Sequence, residues 1–340
     1  MTSLFAVLLA LLLEQLRPLP RDSRLPGLVH RWLEWTARNL DAGAPRHAWM
    51  VWGLAVAGPA LLASLVYLAV RPTSVLLSLA LDVSVLWLTM GFRQFSHWFT
   101  DIRDALDRGD EAQARRMLAD WRDLDASQMP RTALLRHVIE HSLLAAHRHV
   151  FGVFFWFVAL SALGLGPAGA LLYRLAEVAR RHWSARVRPG EVPQSEALCT
   201  LARRLFDLID HVPARLTAFG FAVVGNFEES ISAWRRDAGL WLHPNEGIIL
   251  AAAAGAVGVQ LGGSAPPGVT PERAPGAPVT SGAAPSPGVP ALTDAADASA
   301  GTAGAEPQVG HLQSMVGLVW RSVVLWMLMV ALLSLANVLG

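Results

Sequence analysis

The sequence predicts an all-α, polytopic membrane bundle with a soluble helical insertion, and three observations predict it. Of the 340 residues, 53% are hydrophobic and only 16% charged, with positive mean hydropathy, which lies outside the range of ordinary soluble domains. The run 150–173, VFGVFFWFVALSALGLGPAGALLY, is long enough at about 1.5 Å per residue to cross a hydrocarbon core of roughly 30 Å. Gly164, Gly166 and Pro167 break it near its end. Further apolar runs at 47–70, 74–92 and 311–339, with shorter ones at 3–13, 214–225 and 248–261, bring the expected count to about five to seven hydrophobic segments. All 28 basic residues are Arg, a bias that either anion binding or a GC-rich genome produces. The single cysteine, Cys199, excludes an internal disulfide and any cysteine metal cluster.

Residues 1–92 read as N-terminal membrane helices. The stretch 3–13 has no Arg before it and no small-residue cleavage site after it, so it reads as a short span or interfacial helix rather than a signal peptide. The linker 17–47 carries six Arg against three acids and belongs on the cytoplasmic side by the positive-inside rule. The span 47–70 has Trp49 and Trp52 near one end and Tyr67 near the other. The short turn Arg71-Pro72-Thr73 then sends 74–92 back antiparallel. Asp82, in the middle of that return, is costly in lipid; it is either a functional carboxylate facing the bundle interior or one bonded to the Ser78 or Thr89 hydroxyls.

Residues 93–149 read as a cytoplasmic helical insertion. Ile102, Leu106, Met117, Leu118, Trp121 and Leu124 recur at helical spacing, interrupted at Gly109, with acid–Arg pairs three or four apart. Nine Arg against nine acids leave no net basic patch, which argues against nucleic acid as a partner.

Residues 150–261 form the membrane and amphipathic-helix core. Because seven Arg follow within 174–213, the run 150–173 is expected to be two half-helices that return to the cytoplasmic side. In 197–212, Leu198, Leu201, Leu205, Leu208 and Ile209 make one helical face, and Arg203, Arg204, Asp207 and Asp210 another. Pro213 is expected to open a separate buried or re-entrant helix over 214–225. The Ala- and Gly-rich 248–261 suits close backbone packing. The stretch 262–310, dominated by Ala, Pro, Gly, Ser and Thr, reads as a disordered linker, and 311–340 as a C-terminal transmembrane helix.

His137, Glu140 and His141 match the inverted zincin pattern H-x-x-E-H, for which Glu177, Glu228 or Glu229 are the available third ligands. The same helix offers Arg136 and Glu140, four residues apart, as a surface ion pair or as part of a polar site beneath the spans.

Several motifs in order resemble the CobD/CbiB family. They are Arg136 with Glu140; FFWF at 154–157; the Gly166-Pro-Ala-Gly run ending in Tyr173 and Arg174; and Arg204 with Asp207. Pro213-Ala-Arg-Leu-Thr217, Arg236-Asp237-Ala238, Pro244-Asn-Glu-Gly247 and the Gly-rich 255–263 complete the set. The short Leu-rich N-terminal helix also looks like AmpE, an inner-membrane regulatory protein, which supplies the alternative reading without catalysis.

The CobD/CbiB resemblance implies a bacterial inner-membrane protein of cobalamin biosynthesis. The family synthase uses ATP, with Mg²⁺, to join a corrinoid carboxylate (adenosylcobyric acid) to the amine of aminopropanol phosphate. The partners implied are the lipid bilayer, a corrinoid substrate and other membrane proteins. It implies Arg136, Arg174, Arg204, Arg215 and Arg236 as anion holders and Glu140, Asp207 and Asp237 as base or Mg²⁺ carboxylates. Pro244, Asn245 and Gly247 would form a backbone turn against ligand. Where the family carries further acids and an Asn, this chain has Leu144, Ala145, Arg148, Phe206 and Asp210, so the implied protein is a diverged member with an eroded carboxylate set.

Overall fold

A computed structural model describes residues 2–16, 24–90, 92–122, 126–184, 194–263 and 301–339. The described residues form a bundle of helices with two isolated β-bridges near its end. Its centre is one helix, Arg131–Ala162, built from α8 (Arg131–Ala146), a π-helical turn (His147–Phe151) and α9 (Gly152–Ala162). Among the described residues it is one of three helices long and apolar enough to cross a membrane. It is buried over 61% of its apolar window, against 28% for Pro45–Val70 and 33% for Val309–Ala336, so those two present their apolar sides outward.

Around this helix the chain proceeds as expected for a membrane bundle. First come α1 (Thr2–Leu16), α2 (Arg24–Leu40) and the outer span α3 (Pro45–Trp52) to α4 (Gly58–Val70), which are joined by a second π-helical turn. Next is α5 (Val75–Thr89), whose N-cap Ser74 accepts the Leu77 N–H. α1 and α5 contain the two shorter apolar segments. Asp82 is buried, but the Ser78 and Thr89 hydroxyls both bond backbone carbonyls, so neither serves it.

The helices α6 (Phe92–Asp107) and α7 (Glu111–Arg122) form a hairpin broken at Gly109, as its φ of +79° permits. Glu111 ties that hairpin to the start of the central helix through Arg131 at 3.3 Å, and Arg115, paired with Glu111 on the same helix at 2.8 Å, donates to the Met129 carbonyl at 2.9 Å. The central helix runs across 149/150 through its π-helical turn.

After Ala162 the chain reverses through Gly164 and Gly166, both at positive φ, into α10 (Ala168–Ser184). The reversal falls at the expected break, but the expected half-helix before it is corrected: 150–162 is the end of the 32-residue helix Arg131–Ala162. The two helices approach closely because Gly169 lies under the Trp156 carbonyl and Gly152 under the Tyr173 ring, positions with no room for a side chain.

The expectation of separate helices at 197–212 and 214–225 is corrected: α11 (Glu196–Val224) is one 29-residue helix with Pro213 inside it. A proline there cannot donate to the Ile209 carbonyl four residues back. The Trp156 indole does so instead, at 3.0 Å, and the helix continues. Leu208, Val212, Leu216, Phe219 and Val223 form an exposed stripe along its outer side.

The helices α12 (Phe227–Asp237) and α13 (Pro244–Val257) then pack as a hairpin, with Gly255 against the Glu229 backbone. α13 ends at Gly258 in the left-handed conformation. Most of the expected linker, 264–300, lies outside the described residues. Its end is ordered: Gln260 N–H donates to the Ala305 carbonyl at 2.8 Å and Thr302 N–H to that of Leu261 at 2.7 Å. This clip leads into α14 (Val309–Leu339).

Trp156→Phe is expected to cost about 1–3 kcal/mol by stranding the Ile209 carbonyl. In a Pro213→Ala background, which restores the backbone donor, the cost should shrink. Thermal unfolding in detergent of the four proteins measures this coupling, and equal costs in both backgrounds would remove the assigned role of Trp156.

Candidate functional site

Where α8, α10 and α13 meet, a cavity of about 350 Å³ is lined by His137, Glu140, His141, Arg148, Arg180, Trp241, His243 and Glu246, with Leu144 and Leu250. His137, His141, Leu144 and Arg148 fall on one face of the central helix at steps of four, three and four residues. Arg148 and Arg180 converge on the Glu246 carboxylate, the first in a direct hydrogen bond and the second at 3.5 Å. The Arg180 guanidinium also lies over the Phe206 ring, 4.8 Å from its centre.

The start of α13 is anchored to α11. The Asn245 amide donates to the Asp207 carbonyl at 2.9 Å, and Arg215 reaches the Asn245 oxygen at 3.4 Å. Gly247 lies against the Ala238 carbonyl, where any side chain would collide. Asn245 and Gly247 thus fix the start of α13, and Glu246 projects between them. The Asp207 carboxyl is half-buried; burial pushes it above the usual carboxylate value, opposed by Arg180 and His243.

Behind the cavity lies a buried junction. His147 Nε2 is 2.8 Å from Asp210 Oδ1, and the Tyr173 hydroxyl donates to the same oxygen at 2.7 Å. The other ring nitrogen of His147 faces the Thr217 hydroxyl at 2.9 Å. The π-helical turn is what lets neighbouring residues serve both places, His147 at the junction and Arg148 at the cavity. Burial alone would raise the Asp210 carboxyl, but His147, Tyr173 and Arg148 outweigh it and hold it below the usual value. Glu177, fully buried on α10, is similar: burial raises it, and Arg174 at 2.8 Å and Arg181 at 2.6 Å pull it below the ordinary range.

The sequence-derived residues therefore meet only in part. Glu140 lines the cavity and accepts the Gly262 N–H at 2.7 Å. Arg136, one turn earlier, lies against Gly263. Asp207, Arg215, Asn245 and Gly247 adjoin through the contacts above, with Pro244 exposed beside them. Arg174 serves Glu177. Arg204 is exposed on α11, and Arg236 is paired with buried Asp237 at 2.8 Å beside a separate shallow groove on α12. Arg174, Arg204, Arg236 and Asp237 do not line the cavity, so the expected single hollow does not gather all of these residues.

The zinc reading also loses its geometry. The His141 ring packs edge-on against Trp121, Glu177 is taken by two Arg, and Glu228 and Glu229 are exposed on α12. Among the described residues no group of three or more His, Cys, Asp or Glu could hold a metal ion. Sequence reasoning missed Arg180, His243 and Glu246 as cavity residues and the His147–Asp210 pair. The available signal was the placement of Arg148 and His147 at the edge of the apolar run.

Glu177→Gln is expected to cost about 3 kcal/mol, because Arg174 keeps its charge in a buried position without a counter-charge. Both lowered carboxylates stabilise the fold above the unfolded-state value of about 4 and lose that contribution as pH falls through their lower folded values. Melting temperature should therefore drop on acidification below about pH 4, and Asp210→Asn or Glu177→Gln should flatten the drop. An unchanged acid slope in both variants would contradict the assignment.

The family model described as CobD/Cbib protein matches residues 3–275. A protein of Stutzerimonas stutzeri (strain A1501) named cobalamin biosynthesis protein CobD is 30% identical over 332 residues, 96% of this chain and 97% of the relative. Proteins of the same name from Chromobacterium violaceum and Mycobacterium tuberculosis (strain CDC 1551) are 33% and 28% identical. Those two alignments span 56% and 54% of this chain, and 58% and 57% of the relatives. No solved structure matches significantly. The comparisons give the AmpE-like alternative no support, and with the family model covering most of its length the chain belongs to the CobD/CbiB family.

Proposed function

We propose that this protein serves cobalamin biosynthesis as a multi-pass protein of the bacterial inner membrane, at the step that joins a corrinoid carboxylate to the amine of aminopropanol phosphate. One observation carries the reading. Family elements from three parts of the chain, around Glu140, Asp207 and Asn245, are brought together beside a single polar cavity. The bilayer is the first partner, through the outward apolar sides of the spans, and the corrinoid the second.

The lining suits the chemistry of anionic substrates. Arg148 and Arg180 offer charged, forked donors for phosphate or carboxylate, and His137, His141 and His243 add further polar groups. Asp207 is outside the lining itself but lies in the field of Arg180, His243 and Glu246, which belong to it; burial raises its carboxyl above the usual value, which suits it to accept a proton from an attacking amine and release it later. The nucleotide phosphates fit this set. A protein-held Mg²⁺ does not: the two carboxylates facing the cavity are already engaged, Glu140 by the Gly262 N–H and Glu246 by two Arg. ATP, where bound, would supply the phosphoryl group that activates the carboxylate.

Complementation of a bacterial strain lacking adenosylcobinamide-phosphate synthase tests the proposal. The wild-type chain should restore cobalamin-dependent growth. Asp207→Asn should lower product formation in membranes by about 10²–10⁴-fold, the usual worth of a positioned acid or base. Failure of well-expressed, membrane-inserted wild-type protein to rescue would overturn the catalytic reading.

A further inference from the structure

Two guanidinium groups in the cavity are held by contacts that do not involve a ligand. Arg180 rests on the Phe206 ring, and Arg148 lies in the field of Glu177 and Asp210 as well as Glu246. Their shared acceptor is different in kind. Glu246, in the first turn of α13, has 21% of its side-chain surface open, whereas the side chains of Arg148 and Arg180 are 12% and 10% open. Of the three groups, the acceptor is the one with the most open space beside it.

The donor set is also incomplete. Arg180 Nε is buried without a hydrogen-bond partner, so one carboxylate does not satisfy the pair. A tetrahedral phosphate, with more oxygens than a carboxylate, presents acceptors to both guanidinium groups and to that vacant donor. Charge runs the same way. With Glu246 in place, the two Arg of the lining face two Glu; with it withdrawn, one positive charge remains uncompensated, beside three histidines.

We propose that Glu246 is an internal stand-in for the ligand: a phosphate-bearing ligand binds by displacing it from Arg148 and Arg180. This rests on the preceding section only in taking the cavity as the ligand site. A self-occupied site binds more weakly by the fraction of time it is open. Glu246 therefore sets a threshold of ligand concentration below which the cavity remains closed on itself.

The test is calorimetric titration of the full-length protein, in detergent free of anionic lipid and with EDTA present, using inorganic pyrophosphate as the probe. Glu246→Gln should bind pyrophosphate about tenfold more tightly than wild type, corresponding to a site open about one-tenth of the time. Adding Arg180→Gln to that variant should abolish the gain. If Glu246→Gln fails to give a normal melt, Glu246→Asp, which keeps the charge but shortens its reach, should also tighten binding. Equal or weaker binding by a folded variant, or a gain that survives Arg180→Gln, would overturn the proposal.

Propionate and phosphatidylglycerol in nanodiscs are the comparison ligands. A gain seen with either of them and not with pyrophosphate would refute the assigned ligand class. The pyrophosphate result is independent of complementation. A tightened variant alongside a wild type that does not rescue would refute the biosynthetic step and leave the displacement standing, and the reverse outcome would do the opposite.

Discussion

A carboxylate with almost no access to water must be answered by donors from its surroundings, and Asp210 is answered from two other helices at once. Its oxygen takes the Tyr173 hydroxyl of α10 and a ring nitrogen of His147 from the central helix, while His147 also meets Thr217, two turns further along α11. Each group would be costly to leave unpaired, so the three helices have one relative arrangement in which all of them are satisfied. That arrangement determines which way the next residue, Arg148, faces.

The cavity follows from this junction. Close approach of α9 and α10 at Gly152 and Gly169 brings Tyr173 within reach of Asp210 and carries Arg180 to the same end of the bundle as Arg148. Asn245 closes the third side by bonding the α11 backbone, and Gly247 leaves α13 no alternative depth. Charged groups then collect where helices from distant parts of the chain end together. Apolar side chains, led by the exposed stripe on α11 and the outward faces of the two outer spans, cover the exterior.

Much of the fold was legible because its signals are local. Gly109, Gly164 and Gly166 mark real helix breaks, and the apolar runs mark real helices. Pro213 misled for a physical reason: whether a proline ends a helix depends on whether another donor can reach the stranded carbonyl, and Trp156 lies 57 positions earlier in the chain. The site was partly legible. Glu140, named through motif order, lines the cavity and Asp207 and Asn245 adjoin it, whereas Glu246 carries no signal of its own until two Arg are seen to converge on it.

The sequence by itself determined that this chain is a helical membrane protein of the CobD/CbiB kind, because hydropathy and motif order are properties of neighbouring residues. Only the tertiary structure decided which charges share a space. It separated Arg204, Arg236 and Asp237 from the cavity and brought in Arg148, Arg180 and Glu246. The reason is that burying a charge requires a counter-charge or donor at hydrogen-bond distance, and such partners are supplied by helix packing across tens of residues, with no regular spacing along the chain.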